Sequence, residues 1–265
     1  MCASPSAPAG RHDGRLGVLP VLIIRSVAFN LLFYLNLIIQ LLAALPTLIM
    51  PRGAILAVAR FWARSNIWLL RAICGIRAEF RGLERIPPGA LLVASKHQSL
   101  WETFALLLLF PDPAFILKRE LMWIPFFGWY ARKAAMIPVD RGKRSQALAA
   151  MTIFARQQLE RGRQIVIFPE GTRRAPGADP NYKFGVAHLY GETGVSCLPV
   201  ALNSGLFWPR RSFRRYPGTI VVEALDPIPP GLSKPEFSVA LAQAIETATA
   251  RLVAEGEREL ARRGE

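Results

Sequence analysis

Of 265 residues, 52% are hydrophobic, yet Lys and Arg outnumber Asp and Glu by 33 to 19, a net charge of +14. A disordered basic tail would be poor in Leu, Ile, Val and Phe, so the chain reads as a folded protein long enough to bury a sizeable core. Cys2, Cys74 and Cys197 are too few for a disulfide framework and read as core thiols of a reducing compartment, while the charge leaves nucleic acid and an anionic membrane as candidate partners.

In chain order, the first feature is the stretch 27–50, which carries no formal charge. About 20 apolar residues suffice to span a bilayer, but Asn30, Asn36, Gln40 and Pro46 interrupt this stretch. We read it as membrane-embedded; the alternative is a buried core helix. Arg11, Arg15 and Arg25 precede it, and Arg52, Arg60 and Arg64 follow it. Basic flanks on both sides suit a hairpin or a segment dipping into the cytoplasmic leaflet better than one crossing. The stretch 55–76 is amphipathic, with Trp and Arg at helical spacing, and reads as an interfacial helix or a surface helix packed on a core. Residues 1–76 are therefore predicted to be an N-terminal membrane-anchoring helical segment, and 77–265 an α/β domain ending in a C-terminal helix.

Beyond residue 77, β-prone runs at 90–95, 114–118, 134–139, 164–168, 195–201 and 219–224 alternate with helical stretches near 99–110, 145–161 and 182–192. The runs are mostly continuous rather than alternating, as in strands covered on both faces. They predict an α/β fold, a mostly parallel central sheet flanked by helices, with its site in loops at the carboxyl ends of the strands. The Ala- and Glu-rich segment 235–262 predicts a solvated helix. Residues 1–231 carry a net +15 and 232–265 a net −1, so the tail is not part of the basic surface.

Two of those loops hold candidate chemistry. The first reads Lys96-His97-Gln98-Ser99-Leu100-Trp101-Glu102. On one continuous helix, residues five apart lie about 140° from each other. With His97 in the loop and Glu102 in the first helical turns, the side chains converge. A carboxylate on one imidazole nitrogen leaves the other as a general base; the plainer alternative is a histidine that caps a helix. The second loop reads Phe168-Pro169-Glu170-Gly171-Thr172-Arg173-Arg174. A Gly turn with guanidiniums suits a phosphate, or is simply a basic loop. Phosphate-loop, dinucleotide-binding and nucleophile-elbow motifs are all lacking. His12, His97 and His188 lack metal-ligand spacing, and His188 reads as a packed or surface residue. Cys197 reads as core, and Phe207-Trp208-Pro209-Arg210-Arg211 has the local look of a nucleic-acid contact.

Together these blocks resemble the glycerolipid acyltransferases, specifically the 1-acylglycerol-3-phosphate (lysophosphatidate) acyltransferases, over roughly residues 77–225. The family's His-x-x-x-x-Asp block is HQSLWE here, ending in Glu102. Its second block matches Lys118, Glu120, Leu121, Ile124-Pro125, Gly128 and Arg141. Its Phe-Pro-Glu-Gly-Thr-Arg is unchanged at 168–173, followed by Lys183 and Gly185, and its hydrophobic-Pro-Val strand matches Leu198-Pro199-Val200. The resemblance implies acyl transfer from acyl-ACP or acyl-CoA to the sn-2 hydroxyl of lysophosphatidate, forming phosphatidic acid without an acyl-enzyme. His97 would be the base and Glu102 its orienting partner. Arg141, Glu170, Gly171, Thr172 and Arg173 would hold the head group, Lys183 would assist, and Lys118 and Pro199 belong to the same substrate-binding set. No metal or organic cofactor and no nucleic acid is implied. Anionic membrane lipids are implied as partners, with an N-terminal two-helix element embedded in one leaflet at the cytoplasmic face of the inner membrane. Alternatives are another acceptor, such as glycerol 3-phosphate or a lyso-aminolipid like lyso-ornithine lipid, and a non-catalytic basic protein binding membrane or nucleic acid.

Overall fold

A computed structural model describes residues 15–140 and 144–263. Its strands are β1 (Ile76–Arg81), β2 (Leu91–Ser95), β3 (Pro113–Lys118), β4 (Ile137–Val139), β5 (Gln164–Ile167), β6 (Cys197–Leu202) and β7 (Gly218–Ala224). They form one seven-stranded sheet in the order β1-β7-β6-β2-β5-β3-β4. Every adjacent pair is parallel except β6 with β7. The mostly parallel sheet expected from the sequence is present. β1 was not among the expected strands: it lies at the edge, and its IRAEFR mixes charge with apolar residues instead of forming a continuous run.

The central strands are buried on both faces, which explains their unbroken hydrophobicity. Successive side chains alternate between the faces. Leu91 and Val93 point into one cluster, Leu92 and Ala94 into the other. The first face is covered by α1 (Arg15–Ala43), α2 (Arg52–Leu69) and α3 (Trp101–Ala105). After α4 (Phe127–Lys133), the second face is covered by α5 (Arg144–Leu159), α6 (Phe184–Thr193) and, beyond the short α7 (Ser204–Phe207), by α8 (Lys234–Arg263). In α8, Phe237, Leu241, Ile245, Ala248 and Leu252 recur every three or four residues and are buried, the stripe expected of a helix laid on a sheet.

The N-terminal helices share the core of the sheet. Phe29 and Phe33 of α1, Ala63 of α2 and Leu70 pack with Phe104, Trp208, Val93 and Val200. The boundary expected at residue 76 falls on the first residue of β1. Pro46 and Pro51 flank the turn from α1 into α2, where a helical interior would reject them.

In α1, Ser26, Asn30 and Asn36 lie on the side facing the domain. Asn36 donates to Ser65 Oγ of α2 at 2.8 Å. Ser26 Oγ accepts from the Arg215 backbone N–H at 2.9 Å. Asn30 donates to the Phe213 carbonyl and accepts from the Arg215 guanidinium, each at 2.8 Å. The opposite face exposes Leu31, Leu35, Ile38, Ile39 and Leu42. Residues 19–43, with mean hydropathy 1.9, are long and apolar enough to cross a membrane.

Candidate active site

β2, β5 and β6 are neighbours, so the loops leaving their carboxyl ends meet. The loop after β2 carries His97, whose Nδ1 lies 2.9 Å from Glu102 Oε1. The same oxygen accepts the backbone N–H groups of Gln98 at 2.8 Å and Ser99 at 2.7 Å. Glu102 Oε2 accepts from the Ser204 hydroxyl at 2.8 Å, and the carboxylate is fully buried. Ser99 Oγ in turn accepts the Trp101 N–H at 3.2 Å, which ties the loop to the start of α3. An oxygen already accepting two N–H groups acts as the acceptor for Nδ1–H too. That fixes the imidazole tautomer with Nε2 bearing the free lone pair. The ring stacks on Phe168 with centroids 4.1 Å apart, which fixes its plane.

The loop after β5 is folded onto the His97 loop. Gly171 has φ +64°, and its N–H donates to the Phe168 carbonyl at 2.9 Å. Only a glycine takes this left-handed turn without cost. The Arg174 N–H donates to the His97 carbonyl, and the Lys183 N–H to the Pro169 carbonyl, each at 2.8 Å. Glu170 is buried, its Oε1 3.0 Å from Lys96 Nζ, which also lies 2.7 Å from Glu246. Burial pushes the Glu170 carboxyl above the ordinary carboxylate range, and the bond and charge of Lys96 work against that shift.

A cavity of about 660 Å³ opens at these strand ends. His97, Gly171, Thr172 and Lys183 form its polar side, and β3, β4, α5 and α6 supply an apolar side that includes Ile116, Val139, Leu148 and Met151. Of the expected site residues, His97, Glu170, Gly171, Thr172 and Lys183 line it together. Glu102 sits behind His97. Arg173 is half-buried in the same loop, its carbonyl accepting a bond from Arg210, but it is not among the lining residues. Lys118 is exposed at the end of β3, and Pro199 is inside β6, both off the lining. Arg141 lies outside the described residues. Cys197 is core, as expected, and burial raises its thiol pKa. Phe207 and Trp208 are buried, with the Arg215 guanidinium 4.2 Å from the Trp208 ring, so the aromatic half of the nucleic-acid look is spent inside the core.

Ser204 and Lys96 were not singled out in the sequence. Both flank strands: Lys96 follows β2 directly, and Ser204 stands two residues beyond β6. Ser204→Ala leaves Glu102 Oε2 buried without its donor. We expect a stability loss of about 1–3 kcal/mol and a lower kcat at nearly unchanged KM, read by thermal unfolding and steady-state kinetics. A loss confined to stability would make Ser204 a packing residue only.

The family model described as Acyltransferase matches residues 77–203. The matched stretch begins in β1, ends just past β6, and includes His97, Glu102 and the whole 168–174 loop. A Pseudomonas aeruginosa protein named 1-acyl-sn-glycerol-3-phosphate acyltransferase is 42% identical over 165 residues, 62% of this chain and 64% of that protein. The alpha forms named likewise from Ovis aries and Homo sapiens are 31% and 30% identical over 179 residues, 66% of this chain and 62% and 63% of theirs. The chain thus spans a little under two thirds of the length of these curated relatives. Among solved structures, a 1-acyl-sn-glycerophosphate (LPA) acyltransferase from Thermotoga maritima superimposes with TM-score 0.70 at 23% identity, covering 86% of this chain and 97% of that one. That likeness establishes the shared fold.

Proposed function

We propose that the chain transfers an acyl group from an acyl thioester to the sn-2 hydroxyl of 1-acylglycerol 3-phosphate, forming phosphatidic acid. The observation that carries this reading is the buried Glu102 carboxylate on His97 Nδ1, beside a cavity that is polar on one side and apolar on the other. His97 Nε2 takes the hydroxyl proton as the oxygen attacks the thioester carbonyl. The carbon–sulfur bond breaks and the leaving thiolate recovers that proton, so ester and free thiol form with no acyl-enzyme. A positioned base of this kind contributes ~10²–10⁴-fold, and Glu102 stabilises the imidazolium that forms.

The acceptor's phosphate is assigned to the 170–173 loop, with Arg173, Lys183 and Arg141 as its cations; Thr172 adds a hydroxyl. Acyl chain occupies the apolar side of the cavity. Both donors considered, acyl-ACP and acyl-CoA, are acidic, and the net +14 draws them as it draws anionic lipids. The outward face of α1 supplies the membrane contact. Its polar seam is bonded to the domain along several turns, which favours a helix lying in one leaflet, at the cytoplasmic face of the inner membrane, over a crossing.

The test is product analysis with purified full-length protein in detergent. Acyl-CoA and acyl-ACP are each offered with lysophosphatidate, glycerol 3-phosphate or lyso-ornithine lipid. Phosphatidate is the expected product; equal or better use of a phosphate-free acceptor overturns the reading. Arg173→Lys replaces a planar two-pronged donor with a point charge. We expect KM for lysophosphatidate to rise about tenfold, the loss of ~1.5 kcal/mol from a charge-assisted bond, with kcat largely kept. An unchanged KM removes Arg173 from the phosphate site.

A further inference from the structure

The segment 119–133 between β3 and β4 carries five large exposed apolar side chains: Leu121, Trp123, Ile124, Phe127 and Trp129. Trp123 is 68% exposed and Trp129 48%. Patches of this kind on a surface mark an interaction site.

The backbone here is built tightly rather than loosely. Phe126 has φ +63° and ψ −56°, and the Phe127 N–H reaches back to the Pro125 carbonyl at 2.7 Å. This is a γ-turn of the strained, positive-φ form, rare for a residue with a side chain. A Cβ on Gly128 would lie 2.0 Å from the Met122 carbonyl oxygen, so only glycine fits where the two ends of the knuckle touch. Ile124 and Phe127, on either side of this turn, are both exposed.

Three observations identify what covers the knuckle. First, it continues the apolar face of α1. The Tyr130 hydroxyl donates to the Leu41 carbonyl, and Tyr130 and Phe126 pack with Ala44, Leu48 and Ile55. Ile49, at the turn just beyond α1, is 93% exposed. Second, cations frame the aromatic residues: Lys118 and Arg119 before them, Arg132 and Lys133 after. Tryptophan beside Lys and Arg is the composition of a surface set at the headgroup level of a bilayer. Third, β3 and β4, the strands the knuckle joins, carry Ile116, Leu117 and Val139 on the apolar side of the cavity.

We infer that the 121–129 knuckle is a second membrane-contacting element, inserted among the headgroups of an anionic phospholipid bilayer beside the outward face of α1. It deepens the membrane reading given above and rests on it for the position of the bilayer. Its effect is to set the β3 and β4 side of the cavity against the lipid, so that an acyl chain reaches the cavity without passing through water.

The experiment uses the full chain with Cys2→Ser, which leaves Cys74 and Cys197, both buried. An environment-sensitive fluorophore is attached at Ile124→Cys or at Trp129→Cys, and for comparison at Val239→Cys, which is exposed on α8. The protein is added to phosphatidylglycerol and phosphatidylethanolamine vesicles carrying nitroxides at set depths along the acyl chain. Expected are a blue shift and loss of emission at 124 and 129 but not at 239. Shallow nitroxides should quench most, since interfacial insertion reaches ~5–10 Å. Protein that sediments with vesicles while 124 and 129 behave like 239 overturns the knuckle and leaves α1 as the anchor. Failure to sediment overturns both. A blue shift without nitroxide quenching that grows with protein concentration assigns the surface to a second copy and also overturns the inference.

Discussion

His97→Ala is expected to lower acyl transfer to lysophosphatidate by ~10²–10⁴-fold with little change in the thermal unfolding midpoint. The two halves of this expectation rest on different contacts. Loss of rate follows from removal of the only imidazole among the described residues that line the cavity. Retention of the fold follows from what the substitution leaves behind. The His97 carbonyl still accepts the Arg174 N–H, since that bond is backbone to backbone. Glu102 keeps the N–H groups of Gln98 and Ser99 and the Ser204 hydroxyl, so no buried carboxylate oxygen is orphaned. His97→Asn sharpens the result, because it offers Glu102 a donor but has no basic nitrogen. It should be as inactive as alanine. Turnover within a few-fold of the parent chain in either variant refutes the base role.

That pairing was readable because the geometry needed is local. A loop followed by a helix start brings residues 97 and 102 together with no information from elsewhere in the fold. Glu102 stands where the resembled family has Asp, and its longer carboxylate reaches back to the Ser99 N–H and meets His97 Nδ1 with the same oxygen. Central strands were legible because burial on both faces leaves continuous apolar runs, whereas edge strand β1 and the aromatic knuckle at 121–129 follow no single period. What could not be read were contacts that depend on the chain returning. Asn30 and Asn36 interrupted the apolar stretch 27–50, yet Asn30 bonds to Arg215, 185 positions away, and Asn36 to Ser65 of α2. The exposed aromatic look of Phe207 and Trp208 failed for the same reason: Phe29 and Phe33 of α1 cover Trp208, and the Phe207 ring lies against Gly218 of β7 and Gly256 of α8.

Glu170 shows the same limit, with the largest stability effect expected in the molecule. Its place in the 168–173 motif suggests a ligand to substrate, but its carboxylate is fully buried against Lys96, a partner 74 residues earlier that only the adjacency of β2 and β5 brings near. Lys96→Met removes the cation and leaves Glu170 charged in the interior, with Arg174 Nε 3.9 Å away as a weaker substitute. Removing one partner of a buried pair costs about 3–5 kcal/mol. The loss should depend on pH in a defined direction. Burial already raises the Glu170 pKa, against the bond and charge of Lys96, and without Lys96 it rises further. A carboxylate whose folded pKa is raised contributes stability that is present below its unfolded value and lost as pH rises through the folded one. The gap between variant and parent chain is therefore expected to be small near pH 5 and to widen toward pH 8 in urea unfolding. Adding Glu170→Gln to Lys96→Met removes the stranded charge and should recover most of the stability. If it also recovers transfer, Glu170 is a strut that holds the 168–174 loop beside His97. If stability returns while KM for lysophosphatidate stays high, the carboxylate contributes to acceptor binding as well. A pH-independent loss in the single variant would mean that Glu170 does not carry its charge in the folded protein.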